Sequence, residues 1–387
     1  MKKRQYTAII LMAGIIIGMT AMWIITSCAG GFIKVNASEY DDMLKTYKKY
    51  SKLEQLYSYI EDNYYTDVDD DKLIEGAYAG LVKALDDPYS SYMSSDKYEE
   101  WNSDVSGEFG GIGVTFTEND DGEFEIVSVI DDTPAYKAGL RAGDIIESVD
   151  GKTYDDMNDI VSVIRGEEGT RLKLKYKRED IEKTVTITRD TIQIESVKSK
   201  IRKDNVGYIR ISSFIETTSD DFKDALDRME DADVTGMVID IRNNGGGLVD
   251  EGLAIADELL GKCTLVYYVD NKGNKTCSYS DKNKTDIPYV LLVDGATAST
   301  SEILTAAVKD NNGGKIVGTK TFGKGIIQTT SRFKDGSAIK LTVMQYLSPD
   351  GNEIHKKGIK PDYTVKLKKN DDTDYQLNKA LEILKQD

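Results

Sequence analysis

Histidine is almost missing: the 387-residue chain has one, His355. That excludes a histidine-rich zinc site and an HExxH helix. Any Ser-His-Asp triad would have to use His355. Cysteine is scarce as well. Cys28, Cys263 and Cys277 include no CxxC pair, so no zinc ribbon is encoded. Cys263 and Cys277 flank Asn271-Lys272-Gly273-Asn274, a hairpin signal. With Lys272-Gly273 as the turn, Cys277 falls opposite Tyr268, so a Cys263–Cys277 disulfide requires irregular geometry. Basic charge is also short. The net charge of −17 argues against nucleic acid as a partner, since that needs basic stripes.

What is present is an ordinary globular composition, 40% hydrophobic and 30% charged, long enough for two or three domains. Lys2, Lys3 and Arg4 precede an uncharged stretch whose apolar part, Tyr6 to Ile25, has the length of a bilayer-spanning helix. Positive charge before it directs the rest across the membrane. Three fates fit residues 1–33. They are a signal-anchor, which the length of the run favours, a lipoprotein lipidated at Cys28 after Ile25-Thr26-Ser27, and cleavage after Val35-Asn36-Ala37. All three place the remainder outside the cytoplasm, anchored at the cell envelope or secreted.

Residues 39–105 carry apolar side chains at helical spacing, broken at Asp87-Pro88. Over 106–191 the pattern changes to short strands and turns. Phe109-Gly110-Gly111-Ile112-Gly113-Val114 is a glycine-rich loop entering a strand. AGLRAGDII follows at 138–146, then a helix at Tyr154–Arg165 and a strand at Arg171–Lys177. Together these resemble a PDZ domain, which binds a peptide by strand addition and captures its terminal carboxylate on loop N–H groups. The resemblance implies that Gly111, Ile112, Gly113 and Val114 form the carboxylate loop. It gives Ile160, Val161 and Ile164 to the apolar pocket and places Arg165 at its edge.

Residues 192–370 alternate strands and helices, the pattern of an α/β domain. Strand Gly236–Ile241 is apolar throughout, as in a sheet covered on both faces, and ends in Arg242-Asn243-Asn244-Gly245-Gly246-Gly247. Strand Val290–Val293 stops at Asp294-Gly295. A small-residue run then leads through Ser299 into a helix with Glu302 in its first turn. Lys324 sits between two glycines. Alone, Ser299 reads as a helix N-cap and Lys324 as a surface lysine. Residues 371–387 end in a helix.

ATASTSE, TFGKGIIQ, DIRNNGGG, DPYSSYM, FGGIGV and GIKPD, in order around a PDZ-like segment, resemble the carboxyl-terminal processing (tail-specific) proteases of the S41 serine peptidases. The resemblance covers about Leu44 to Leu384. It implies an α/β multidomain protein with an N-terminal membrane segment and helices, a β-rich PDZ domain and a protease domain of the ClpP/crotonase-like fold. It implies Ser299 as nucleophile, Lys324 as base and Gln328 as the residue orienting that base. Oxyanion donors would be the N–H groups of Thr300 and Gly246, although glycine at 245 replaces the proline common there. No metal or organic cofactor is called for. The implied partners are protein or peptide substrates with free C-termini, and a second copy of the chain through the N-terminal helices. A lysine is a base only when its pKa is lowered by desolvation. Phe322, Ile326 and Ile327 are the expected apolar wall. His355, in a polar loop, is the rival base. Glu302 either assists the site or serves the helix dipole. A non-catalytic PDZ adaptor on a protease scaffold would lack the serine, the lysine or the glycine run, and all three are present.

Overall fold

The computed structural model describes residues 11–20, 22–23, 36–119, 121–281, 283–367, 371 and 373–386. Cys28 and most of segment 1–33 lie outside these. Residues 11–20 and 22–23 are helical and exposed. Among the described residues no helix is long and apolar enough to cross a membrane.

Contacts divide the chain into a unit ending at Ala77 and a unit from Tyr78 onward. The first contains α1 (Ala37–Asn63) and enters α2 (Asp70–Lys83). Asn36 caps α1, with its own N–H on Glu39 Oε2 and its Oδ1 on the Ser38 N–H. No α1 residue is buried. Tyr47, Tyr50, Leu53 and Leu56 are exposed along its length.

In the second unit, β1 (Ser91–Met93) and α3 (Ser95–Ser106) precede the PDZ segment. A helical pattern was expected over 39–105 with a break at Asp87-Pro88. The turn at that break starts a strand that pairs antiparallel with the long strand 338–347. Next come β2 (Glu108–Gly111), β3 (Val114–Glu118), β4 (Phe124–Val129), α4 (Pro134–Lys137), β5 (Ile145–Val149), α5 (Met157–Ile164), β6 (Arg171–Arg178), β7 (Ile181–Thr188) and β8 (Asp190–Gln193). Strands β3–β7 form one antiparallel sheet in chain order, and β2 pairs with β8. Ile112, Ile126, Ile160, Leu172 and Leu174 fill a core of their own. α5 starts three residues later than the helix pattern suggested, and α4 is a single turn, which the AGLRAGDII run had not marked.

The α/β part runs β9 (Val197–Ile201), β10 (Gly207–Ile211), α6 (Thr218–Asp231), β11 (Met237–Asp240), α7 (Val249–Leu259), β12 (Thr264–Asp270), β13 (Lys275–Tyr279), β14 (Tyr289–Val293), α8 (Thr300–Asp310), β15 (Lys315–Gly318), β16 (Ile326–Arg332), β17 (Ala338–Leu347), β18 (Tyr363–Thr364) and α9 (Tyr375–Leu384). Its main sheet has the order β18-β15-β14-β11-β10-β9, with β10, β11, β14 and β15 parallel. Every residue of β11 and β14 is buried. One face packs on α6, α7 and α8, the other on α9 through Ala380, Leu381 and Ile383. Burial on both faces explains the unbroken apolar runs. A second sheet, β1-β17-β12-β13 with β16 on β17, lies over α8 through Tyr346 and Val266. In the β12–β13 hairpin Cys277 pairs with Tyr267, one residue from the expected Tyr268, because the turn is Asp270–Asn274. Cys263 and Cys277 are free thiols, so there is no disulfide between them.

Candidate active site

Open parallel sheets present loops at the carboxyl ends of their strands. Here the loops after β11 and β14 are stitched together. Asp294 Oδ1 accepts the N–H groups of Asn243, Ala296 and Thr297, each at 3.0 Å. Asn244 is fully buried; its Nδ2 donates to Ile211 O and its carbonyl accepts from the Ala298 N–H and Ser301 Oγ, each at 3.0 Å.

These contacts deliver Ser299 at φ 56°, ψ −120°. For a residue with a side chain that conformation costs on the order of 1–3 kcal/mol and persists only when its surroundings impose it. It is the geometry of a nucleophile elbow, which lifts the hydroxyl out of the strand-to-helix turn. Gly246, at φ +101°, lies alongside. A Cβ there would stand 2.8 Å from Ser299 Cβ and 3.0 Å from Thr300 N, so only glycine lets the loops meet. The Gly246 N–H, expected to face an oxyanion, instead donates to Asn244 Oδ1 at 2.9 Å. The N–H groups of Thr300 and Gly245 have no partner among the described residues, and Gly245 is exposed.

Glu302 is fully buried and its carboxylate is saturated. Oε1 accepts Thr321 Oγ1 at 2.6 Å and the Gly323 N–H at 2.7 Å. Oε2 accepts the Lys324 N–H at 2.7 Å and the Ser299 N–H at 3.1 Å. Four donors in a dry site offset the cost of burying the charge. Tyr346 adds a second tie, its buried hydroxyl lying 3.0 Å from Ser299 O and close to Lys324 O. Desolvation pushes that phenol well above its ordinary pKa, with the Glu302 charge adding to it, so it stays a hydrogen-bond donor.

Lys324 is half-buried. Burial first, then the like charge of Lys340, lowers its pKa below the ordinary lysine value, against the opposing pull of Asp87 and Glu302. Of the expected apolar wall, Ile326 and Ile327 are half-buried, but Phe322 turns to solvent. Phe322 is 58% exposed, whereas Lys324 Nζ lies 4.8 Å from the centroid of the Tyr89 ring. No hydrogen bond joins Nζ to Ser299 Oγ among the described residues. Nor does Gln328 reach Lys324: a bulge beside it turns its Nε2 onto Thr342 Oγ1 at 3.0 Å. His355 packs its backbone on Gly325, and its Nδ1 is buried with no partner among the described residues.

The PDZ segment carries a groove of about 870 Å³ lined by Phe109, Ile112, Val114, Val161, Ile164 and Arg165. The N–H groups of Ile112 and Gly113 have no partner among the described residues. Two of the expected peptide-binding residues, one from the pocket and one from the carboxylate loop, lie elsewhere. Ile160 is inside the core, and Gly111 is paired with Asp190 in the strand ladder. Arg165 stacks 4.9 Å over the Phe109 ring and faces Asp104 at 3.8 Å.

A parallel sheet carrying a strained serine at a helix start, with a buried lysine loop bound to it and a peptide groove upstream, defines a serine-type peptidase with an embedded PDZ domain. Comparison with known proteins gives the family. Residues 205–365 match peptidase family S41, 125–178 a PDZ domain, and 13–97 the N-terminal domain of the activating protease CtpB. The carboxy-terminal processing protease CtpA of Bacillus subtilis is 40% identical over 82% of this chain and 69% of its own length. A probable CtpA-like serine protease of Staphylococcus haemolyticus is 38% identical over 94% and 73%. A solved S41 protease structure from Bacteroides fragilis matches with a TM-score of 0.51 at 19% identity, over 80% of this chain and 90% of that one. The chain belongs to the S41 family of carboxy-terminal processing proteases.

The sequence left Tyr89, Lys340, Asn244, Asp294 and Tyr346 out of the site, and it could not decide the role of Glu302. Their contacts come from strand register and loop packing. The available signals were weak: an acid in the first turn after a serine, and a DPYSSYM run too polar for a helix.

Proposed function

We propose that this chain is an endopeptidase working outside the cytoplasm. In this reading a Ser299–Lys324 dyad cleaves exported or membrane-associated proteins whose apolar C-terminal tails dock in the PDZ groove. The observation that carries it is the Glu302 carboxylate, which holds the backbone N–H groups of a strained Ser299 and of a half-buried Lys324 on one oxygen.

The neutral Lys324 amine takes the Ser299 proton as Oγ bonds to the scissile carbonyl carbon. The oxyanion that forms sits on the N–H groups of Thr300 and Gly245, which have no partner among the described residues, in preference to that of Gly246. Each such donor is worth roughly 3–4 kcal/mol. The Lys324 ammonium then gives its proton to the leaving amine, and a water repeats the sequence on the acyl-enzyme. Nζ must move onto Ser299 for the first step, and resting sites often tighten only with substrate. Gln328 assumes its orienting role in that rearrangement. In the PDZ groove, the Ile112 and Gly113 N–H groups take the substrate carboxylate, with Val161 and Ile164 against its last side chain. The exposed apolar side of α1 suits a second copy of the chain, and the basic start with its apolar run suits an anchor.

A fluorophosphonate probe and a casein digest test the dyad. Wild type labels and digests; Ser299→Ala does neither; Lys324→Ala folds and does not digest. Normal casein turnover by Lys324→Ala would remove the dyad. Sedimentation velocity tests the dimer, and mass spectrometry of the exported protein distinguishes an anchor from a lipid on Cys28.

A further inference from the structure

The turn Asp87–Ser90 is built rigidly beside Lys324. Ser90 Oγ donates to Asp87 Oδ2 at 2.6 Å, and the Tyr89 N–H to Asp87 Oδ1 at 3.0 Å. The Thr342 N–H donates to Ser90 Oγ at 3.0 Å, which fastens the turn to β17. The next residues, β1, continue along β17 with Ser91 opposite Lys340. Tyr89 is thereby fixed from two sides, and its ring lies 4.8 Å from Lys324 Nζ. Lys340 lies two residues before Thr342 on β17, its Nζ 6.0 Å from the Trp101 ring of α3. The charged groups facing Lys324 are Lys340 on β17, Asp87 on the turn and Glu302 on α8.

An aromatic face attracts an ammonium through the ring quadrupole and has no such hold on a neutral amine. We propose that Tyr89 is a positioning residue of the reaction: its ring seats Lys324 while the lysine is protonated, Lys340 opposes that seat, and the neutral amine leaves it for Ser299. The inference rests on Lys324 being the base. It adds no proton to the cycle. The same proton moves from Ser299 Oγ to Nζ to the leaving amine, and the ring decides only where Nζ waits. It also accounts for a lysine with no hydrogen bond to its serine among the described residues, and for the place of the DPYSSYM turn beside that lysine.

The test is the pH dependence of kcat/KM on labelled casein, whose acid limb reports the free enzyme's base. Tyr89→Leu keeps an apolar neighbour and removes the quadrupole. Its acid limb moves to lower pH by roughly half a unit. Tyr89→Phe keeps the ring and the wild-type limb. Lys340→Met removes the opposing charge and moves the limb to higher pH. An acid limb unmoved in Tyr89→Leu while activity falls evenly at every pH would overturn the proposal, as would Phe shifting as far as Leu. If Tyr89→Leu does not fold, the sign of the Lys340→Met shift decides, and a shift to lower pH sinks the idea. Lys324→Ala separates the two levels. Loss of digestion with an unmoved Tyr89→Leu limb removes only this inference, whereas retained digestion with the limb intact removes the base and the inference together.

Discussion

Glu302 Oε2 accepts the backbone N–H of Lys324 at 2.7 Å, twenty-two residues away along the chain. The same oxygen holds the Ser299 N–H, so one carboxylate sets the spacing of the two backbones that carry the proposed dyad. Glu302→Gln puts an amide N–H₂ where the site supplies only donors. With charged hydrogen bonds lost in a buried site, stability should fall by roughly 2–4 kcal/mol. kcat should fall about 100-fold, equivalent to a little under 3 kcal/mol of barrier, with KM nearly unchanged. Steady-state kinetics beside thermal melts check it. A Gln variant with wild-type kcat would show that the spacing does not depend on this carboxylate.

Gly246 and Gly245 should differ sharply on substitution. A Cβ on Gly246 would collide with Ser299 Cβ, Ala298 O and Thr300 N, and its φ of +101° resists any side chain. A Cβ on Gly245 meets nothing within 4 Å. Gly246→Ala is therefore expected to cost about 1–3 kcal/mol through overpacking and to abolish fluorophosphonate labelling. Gly245→Ala should melt within about 0.5 kcal/mol of wild type. Equal melting of the two variants would contradict the close approach of the loops.

Tyr346→Phe removes a hydroxyl lying against both Ser299 O and Lys324 O. The ring stays in its cluster with Ile303, Ala306 and Val266, so the core is kept. Two carbonyls lose this donor while Ser299 O keeps the Glu302 and Ile303 N–H groups, a cost of about 0.5–1.5 kcal/mol. kcat is expected to fall about tenfold, since Ser299 would be held by fewer ties. The melt and the kinetics should move together. A lowered melt with kcat unchanged would assign Tyr346 to packing alone.

The strands and helices of the α/β part were legible because their patterns have physical periods. β11 and β14 read as unbroken apolar runs since both faces are covered. Ser299 and Lys324 were singled out through motif and resemblance, and the structure sets their backbones on one carboxylate. What surrounds Lys324 was not legible. Tyr89 lies far from Lys324 in sequence and reaches it only because β1 pairs with β17, and Lys340 faces it through the same register. A strand of three residues carries too little periodicity to announce itself. Gln328 shows the same limit: its spacing from Lys324 was clear, but the bulge that turns its resting amide to Thr342 was not. The Gly246 N–H was misjudged because sequence does not say that the Asn244 side chain folds back on it.

The buried ion cluster under the glycine loop predicts how stability responds to acid. Arg242 donates to both oxygens of Asp240 and bidentately to Asp374, which starts α9. Burial alone would raise both carboxyls. The Arg242 hydrogen bonds outweigh it, joined at Asp240 by Tyr208 and at Asp374 by the Leu377 N–H, and both pKa values end below the ordinary aspartate range. Tyr208, desolvated and beside Asp240, is pushed up to about 12, so it keeps its proton to donate. A carboxyl with a lowered folded pKa binds its proton first in the unfolded chain. The stabilisation is therefore complete above the unfolded value of about 3.9 and is lost as pH falls through it and then through the lower folded values. Arg242→Met strips one of two cations from a buried Asp240 and unties Asp374 at the N-terminal end of α9, an expected cost of about 1–3 kcal/mol. Melting temperature against pH between about 7 and 3 should fall steeply at the acid end for wild type. It should start lower and run flatter for Arg242→Met. It should not be flat, because Arg210 and Tyr208 still reach Asp240. Parallel curves for the two proteins would mean that acid acts on carboxylates elsewhere, and that the tie from Arg242 to α9 contributes packing and not charge.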